Sequence, residues 1–312
     1  MIRSFFLMAA LATVAACGGG DPFNPVDETT EDPVTEPTPE PTEDTLTVPE
    51  SLAGNLKSIA YDATNKTVTA QIYALDSTPV DVIYTRDATR DLNGYEAYTV
   101  QEDSLDRFFV AMVGQSTDGS VQAGLVGDGG QFNRVLQGAY YTREGDFTPP
   151  EIGTGPGAGQ VSYAGNYVGI TNIARPIGPG SVDPSLLPGD PVMITGQIFL
   201  NANFSDMAVN GGIFDRQVLL STPTDLPDLA LIITDIGTDG SFLGEVEFTG
   251  EVGRKIGDYG GVFGGTNASS VGGAINMEEF IDALDDELER GFFVLSQCNT
   301  PGEASICTNV AD

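Results

Sequence analysis

Cys17, Cys298 and Cys307 are the three cysteines of this sequence, and the chemistry open to them is narrowed by the complete absence of histidine. Without His the commonest general base is missing, and so is the commonest metal and haem ligand, together with every Ser-His-Asp or Cys-His arrangement. Two thiolates at 298 and 307 with no histidine nearby make an incomplete zinc set. Carboxylates abound, with 45 Asp and Glu against 13 Lys and Arg. No pair of them stands in a recognisable catalytic constellation, and an acidic excess brings chance pairs with it. Gly260 to Gly265 is followed by neither Lys-Ser nor a helix start, so it is not a phosphate loop. The acids Asp282, Asp285, Asp286, Glu287 and Glu289 lack the spacing and central glycine of a calcium loop. The residue chemistry therefore points away from an enzyme, and no cofactor or metal is expected. A formal charge of −32 excludes nucleic acid as a partner and electrostatic docking onto an anionic bilayer. Solubility or salt tolerance explains that excess ahead of a dedicated cationic ligand.

The first seventeen residues have the layout of an export signal. Arg3 supplies the positive start, Phe5 to Val14 an apolar run too short to span a bilayer, and Ala15-Ala16 the small residues before cleavage. Val14-Ala15-Ala16-Cys17 resembles the bacterial lipobox, which implies acylation, palmitate included, on Cys17 and residues 1–16 as the signal peptide. Two or three acyl chains, at about 0.8 kcal/mol per buried CH2, hold a protein on a membrane essentially permanently. An ordinary secretory signal ending beside a cysteine is the alternative. Gly18 stands where an Asp often retains such lipoproteins in the inner membrane, so the analogy implies the outer membrane. Residues 18–50 carry ten acids and no Lys or Arg among Pro and Thr. Such a segment cannot bury enough apolar surface to offset its ordering entropy, and 17–50 reads as a disordered, self-repelling tether.

With Cys17 taken by lipid, Cys298 and Cys307 remain as the one available pair in an oxidising envelope location. A disulfide is expected there. A ring this short contributes about 2.5–3 kcal/mol by loop entropy.

From residue 51 the chain is a succession of short β-prone runs cut by Gly, Asp-Gly and Pro, which makes an all-β protein. Asp118-Gly119 and Asp239-Gly240 share a Thr-Asp-Gly-Ser context, and with Asp128-Gly129-Gly130 they read as two-residue hairpin turns. Arg107 to Gly114, Val121 to Gly127 and Gln131 to Thr142 are the strands between them. The Pro/Gly-rich Thr148 to Gly157 divides residues 51–150 from 151–312. In the second part Phe242, Val246 and Phe248 alternate with Leu243, Glu245 and Glu247, as a half-buried strand requires. One stretch, Asn276 to Glu289, has helical spacing: Phe280, Ile281, Leu284 and Leu288 share a face, Asn276 is a cap and Gly291 a stop. Its acids read as a solvated face. Gly291 to Ser296 is the final strand.

Glycine is densest in Gly261-Val262-Phe263-Gly264-Gly265-Thr266-Asn267-Ala268-Ser269-Ser270-Val271-Gly272-Gly273. This run resembles the barrel signature of the transferrin-binding-protein-like surface lipoproteins of Gram-negative bacteria. Three earlier segments resemble the same family in order: Tyr163 to Gly169, Ala202 to Ile213, and Gly240 to Val246. Gly264 and Ser270 depart from it, standing where Tyr and Glu are usual. The resemblance implies a small antiparallel handle sheet over 51–150 followed by an eight-stranded up-and-down barrel over 151–312. Within the signature, Gly261, Phe263, Gly265, Ala268, Gly272 and Gly273 are then structural, and the glycines are read as close-approach points rather than a ligand cradle.

The implied function is binding. An envelope-anchored, monomeric lipoprotein would capture a nutrient or protein partner through loops such as Arg175 to Pro191, with a TonB-dependent receptor as a membrane partner. Transferrin itself is not implied, because the family's transferrin binders have two handle-plus-barrel units. A lipocalin-like carrier with a small apolar ligand in the lumen is the alternative, opposed by the bulk of Phe204, Phe242, Phe248, Phe263 and Phe292. No ligand-binding residue can be named from the sequence.

Overall fold

The computed structural model of the protein describes residues 47–73, 79–132, 134–155, 157–173, 187–281, 286–300 and 303–308. Leu46–Asp312 forms one compact unit. Val48 is buried, and Glu50–Ala53 makes a single helical turn, α1. Among the described residues no helix is long and apolar enough to cross a membrane.

Seven strands form the handle: β1 (Leu56–Asp62), β2 (Thr67–Tyr73), β3 (Pro79–Arg86), β4 (Glu96–Val100), β5 (Phe109–Gln115), β6 (Val121–Asp128) and β7 (Gln137–Arg143). Each pairs antiparallel with the next. The barrel follows as β8 (Gln160–Thr171), β9 (Val192–Asn203), β10 (Ala208–Val218), the two-residue edge strand β11 (Thr224–Asp225), β12 (Leu229–Asp235), β13 (Ser241–Phe248), β14 (Lys255–Gly264), β15 (Ser270–Glu278) and β16 (Leu288–Gln297). Leaving β11 aside, neighbours in sequence are neighbours in space, and β16 pairs with β8 to close eight antiparallel strands. Closure leaves no unpaired edge.

Inward positions fill the lumen. Phe263 packs its ring 5.2–5.4 Å, between centroids, from Phe204, Phe242 and Tyr163. Tyr163 donates to the carbonyl of Ala268 at 2.6 Å and Tyr259 to that of Ile232 at 2.7 Å, so these buried hydroxyls are satisfied. Burial pushes both phenols well above their ordinary range. Phe292 differs from the expectation. It points outward and stacks on Tyr95 of the handle at 4.5 Å, because Phe293, one residue on, takes the inward position.

The handle lies across the outer wall of β8, β14, β15 and β16. Ala123, Leu125, Ala139 and Tyr141 join Val168, Ile170, Val262, Ala274 and Phe292 in one buried cluster. Strands covered on both faces carry apolar residues and glycine continuously, as β15 does, whereas β13, with its outer face in water, alternates. Gly272 and Gly273 serve opposite faces of β15. A Cβ on Gly272 would run into Val121 of the handle, and one on Gly273 into Phe293 inside the lumen.

Two handle turns bolt the sheets together. Asp118 accepts from Ser116 and Ser120 on its own turn and from Ser269 of the β14–β15 turn at 2.6 Å. These bonds hold its carboxyl well below the usual range although partial burial works against them. At the other bolt, Asn93-Gly94 forms a two-residue turn with φ of 54° and 87°, Leu92 and Tyr95 exchanging backbone bonds. Asn93 Nδ2 donates to the carbonyls of Tyr167 and Gly196, one on β8 and one on β9. The Tyr95 hydroxyl enters the β8–β16 ladder itself, donating to Asn166 O at 2.8 Å and accepting from Val294 N at 2.9 Å.

Two local expectations are corrected. Asp118-Gly119 and Asp239-Gly240 do not make two-residue turns: Gly119 and Gly240 alone of each pair take positive φ, and each aspartate accepts from the serine two residues on, closing a longer turn. Asn276 to Glu289 is not the helix its spacing suggested. Asn276–Glu278 ends β15, Leu288–Glu289 begins β16, and Asn276 sits directly across from Arg290. The period-two run Val271, Gly273, Ile275, Met277 carries the strand past Asn276, and a short apolar run fits either periodicity. Residues 282–285 lie outside the described residues; the helical turns that are described are α1 and the 3-10 turns Ala88–Arg90 and Ser305–Thr308, the last near the C-terminus.

Candidate functional site

The site is built at the end of the handle where β6 gives way to β7. Asp128, the last residue of β6, is buried and faces the guanidinium of Arg107. Burial pushes its carboxyl above the ordinary value, and the Leu136 N–H and Arg107 pull it back only part of the way. Arg107 does more than neutralise it. The same fork donates to Gln131 O at 2.7 Å and Arg134 O at 3.0 Å, so one side chain grips both ends of the turn that follows.

Gln131 and Arg134 exchange both backbone hydrogen bonds at 3.0 Å, and Phe132 at the tip has φ of 55°. A bulky residue in the left-handed region is strained, and Phe132, 58% exposed, has only partial packing to offset that cost. Gln131 Nε2 reaches Leu105 O at 2.8 Å and sets that second exposed apolar side chain on the adjoining loop. Glu102, Asp103 and Asp106 stand exposed on the same loop. The barrel contributes its Gly189-Asp190 segment, with Gly189 N donating to Gly130 O at 2.9 Å and Asp190 3.6 Å from Arg90. The result is an exposed aromatic knob on a clamped turn, tied through Gln131 to the neighbouring acidic loop and flanked by Arg90, Arg107 and Arg134.

Each expected site residue has a place. Cys17 lies outside the described residues, as do residues 175–186 of the Arg175–Pro191 loop. Cys298 and Cys307 form a disulfide, buried with Ile306 against Ala164, Phe199 and Phe214 on the outer barrel wall. Gly261 and Phe263 lie in β14, Gly272 and Gly273 in β15, and Gly265 and Ala268 in the turn between them. None of these six touches the Phe132 turn. The run Gln131 to Thr142, read as one strand, begins as strand at Gln137; its first residues are the knob itself. No sequence signal marks Phe132, because bulky residues seldom take positive φ. Asn93-Gly94 did carry one: Asn-Gly between apolar neighbours is the strongest short hairpin signal.

A second group, inside the barrel, also escaped the sequence. Arg216 and Glu289 are 1% and 0% exposed and meet at 2.5 Å, with Tyr167 donating to the other carboxylate oxygen at 2.8 Å and Pro227 O accepting from the guanidinium. Glu289 was expected on a solvated helix face. Its inward position on β16 puts it in the lumen instead, and Glu287 is likewise buried.

No family model matches the chain, and no curated protein matches it. Solved structures do. A double mutant of transferrin binding protein B from Haemophilus parasuis Hp5 is 13% identical over 76% of this chain and 43% of its own, with a TM-score of 0.41. A single mutant of the same protein is 12% identical over 78% and 45%, TM-score 0.40. The isotype 1 protein from serogroup B Neisseria meningitidis is 15% identical over 73% and 39%, TM-score 0.30. The chain spans less than half the length of each.

Proposed function

We propose that this chain is an outer-membrane lipoprotein, anchored through acylated Cys17, that captures a protein partner with the loop-bearing end of its handle. One observation carries the reading: Phe132 is held strained and exposed at the tip of a turn that Arg107 clamps from below. Strain at a largely exposed side chain adds little to stability, and an exposed aromatic on a clamped turn suits an interface anchor. The reading of the lumen as a carrier site for a small apolar molecule is weakened by the rings of Phe204, Phe242 and Phe263, which occupy it.

Phe132→Gly separates binding from folding. Glycine takes the positive φ freely, so stability should hold or rise by up to about 1 kcal/mol. Affinity for the partner captured by wild type should fall roughly thirtyfold, the loss of about 2 kcal/mol typical of an anchor. Melting curves and binding titrations on that partner check both; undiminished affinity would remove Phe132 from the site. The anchor is read separately: labelled palmitate should enter the wild type and not Cys17→Ser, and an unlabelled wild type would disprove it.

A further inference from the structure

A polar cleft of about 450 Å³ opens at the junction of handle and barrel, at a distance in the fold from the Phe132 turn. The handle contributes Tyr61, Lys66, Asn93, Glu96 and Thr117, and the barrel Asn166 and Ser296. The charged residues among the lining are Lys66 and Glu96, and they neutralise each other at 2.6 Å. Tyr61 and Tyr98 also donate to Glu96, at 2.8 and 2.9 Å, so its carboxylate is spent within the protein. Burial works to raise that carboxyl, yet these three bonds hold it below its ordinary value. The one cation of the lining is thus already paired with its one anion.

The remaining hydrogen-bonding capacity is neutral. Asn93 uses its amide N–H groups on Tyr167 O and Gly196 O, and Asn166 uses one of its own on Asn93 O. Both carboxamide oxygens keep their lone pairs, and the hydroxyls of Ser296 and Thr117 have no partner among the described residues. A ligand can therefore donate to the two amide oxygens, accept from the second Asn166 N–H, and exchange hydrogen bonds with the two hydroxyls. Between these groups the lining is small and apolar: Gly114, Gly165 and Val294, with the Tyr61 ring at one side. Neutral hydroxyls alternating with C–H faces are the surface of a pyranose. The volume is within the range of small-molecule sites.

The geometry points to a binding cleft for a neutral saccharide, one or two sugar rings, at the handle–barrel junction. This inference does not rest on the protein-capture reading, since none of its residues belongs to the Phe132 turn.

The test uses the full-length protein with glucose, maltose, N-acetylglucosamine and chitobiose as probes, and glucuronate and glucosamine as their charged counterparts, followed by saturation-transfer NMR. At least one neutral probe should bind saturably in the millimolar range, ahead of the charged counterparts. Thr117→Val and Ser296→Ala should each weaken it about fivefold, the worth of one neutral hydrogen bond. Ala304→Trp, in the cleft lining, should abolish it in protein that circular dichroism shows to be folded, and Phe132→Gly should leave it untouched. Absence of saturable binding by every neutral probe, preference for a charged one, or full binding by Ala304→Trp would each overturn the proposal.

Discussion

Glu289→Ala is expected to be the most destabilising exposed-to-nothing substitution in the barrel, costing about 3–5 kcal/mol. Its partner Arg216 is 1% exposed and has nowhere to turn: the guanidinium already gives one N–H to Pro227 O, and its Nε lacks a partner. Removing the carboxylate would leave a full positive charge among Ile194, Val218 and Leu229. The Tyr167 hydroxyl would lose its acceptor as well. Denaturant unfolding should show the loss as a lowered midpoint. The double variant Arg216→Met with Glu289→Leu should recover most of it, because a buried pair replaced by apolar groups of similar volume is often neutral. Equal stability of the single variant and wild type would mean that the pair is solvated and the lumen open.

Gly272→Val and Gly273→Val should both destabilise, by about 1–3 kcal/mol or more from overpacking, yet for different reasons. The valine at 272 meets Val121, a handle side chain, so Val121→Ala in the same molecule should restore part of the loss. The valine at 273 meets the backbone oxygen of Gly260 and the Phe293 ring inside the barrel, and no handle substitution relieves that. Thermal melts of the two single variants and the two combinations with Val121→Ala decide it. If Val121→Ala rescued both or neither, the assignment of the two faces would be wrong.

The four aromatic-glycine segments were legible because a strand that is buried on both sides, or that bends against another, admits few residue types. Tyr163 to Gly169, the Ala202 to Ile213 hairpin, Gly240 to Val246 and Gly261 to Gly273 all fall on barrel strands and their turns. Asn276 to Glu289 takes another form because Phe280, Ile281, Leu284 and Leu288 fit a helical period, while Asn276–Glu278 and Leu288–Glu289 are the ends of two paired strands. The Arg216–Glu289 pair was invisible for another reason: its members are 73 residues apart, and an acid destined for a lumen looks like any other acid. The knob was hidden because its decisive property is a backbone angle that phenylalanine does not advertise.

The hydroxyl of Tyr95 has a consequence for the order of assembly. It occupies the one rung between β8 and β16 where Asn166 O and Val294 N would otherwise bond each other directly. Tyr95 precedes Val294 by 199 residues, so the handle side chain that completes this rung is synthesised before the strand it joins. A barrel segment released without its handle would meet itself at that seam with a gap one oxygen wide. The cylinder therefore draws one bond of its closing seam from the neighbouring sheet rather than from its own strands.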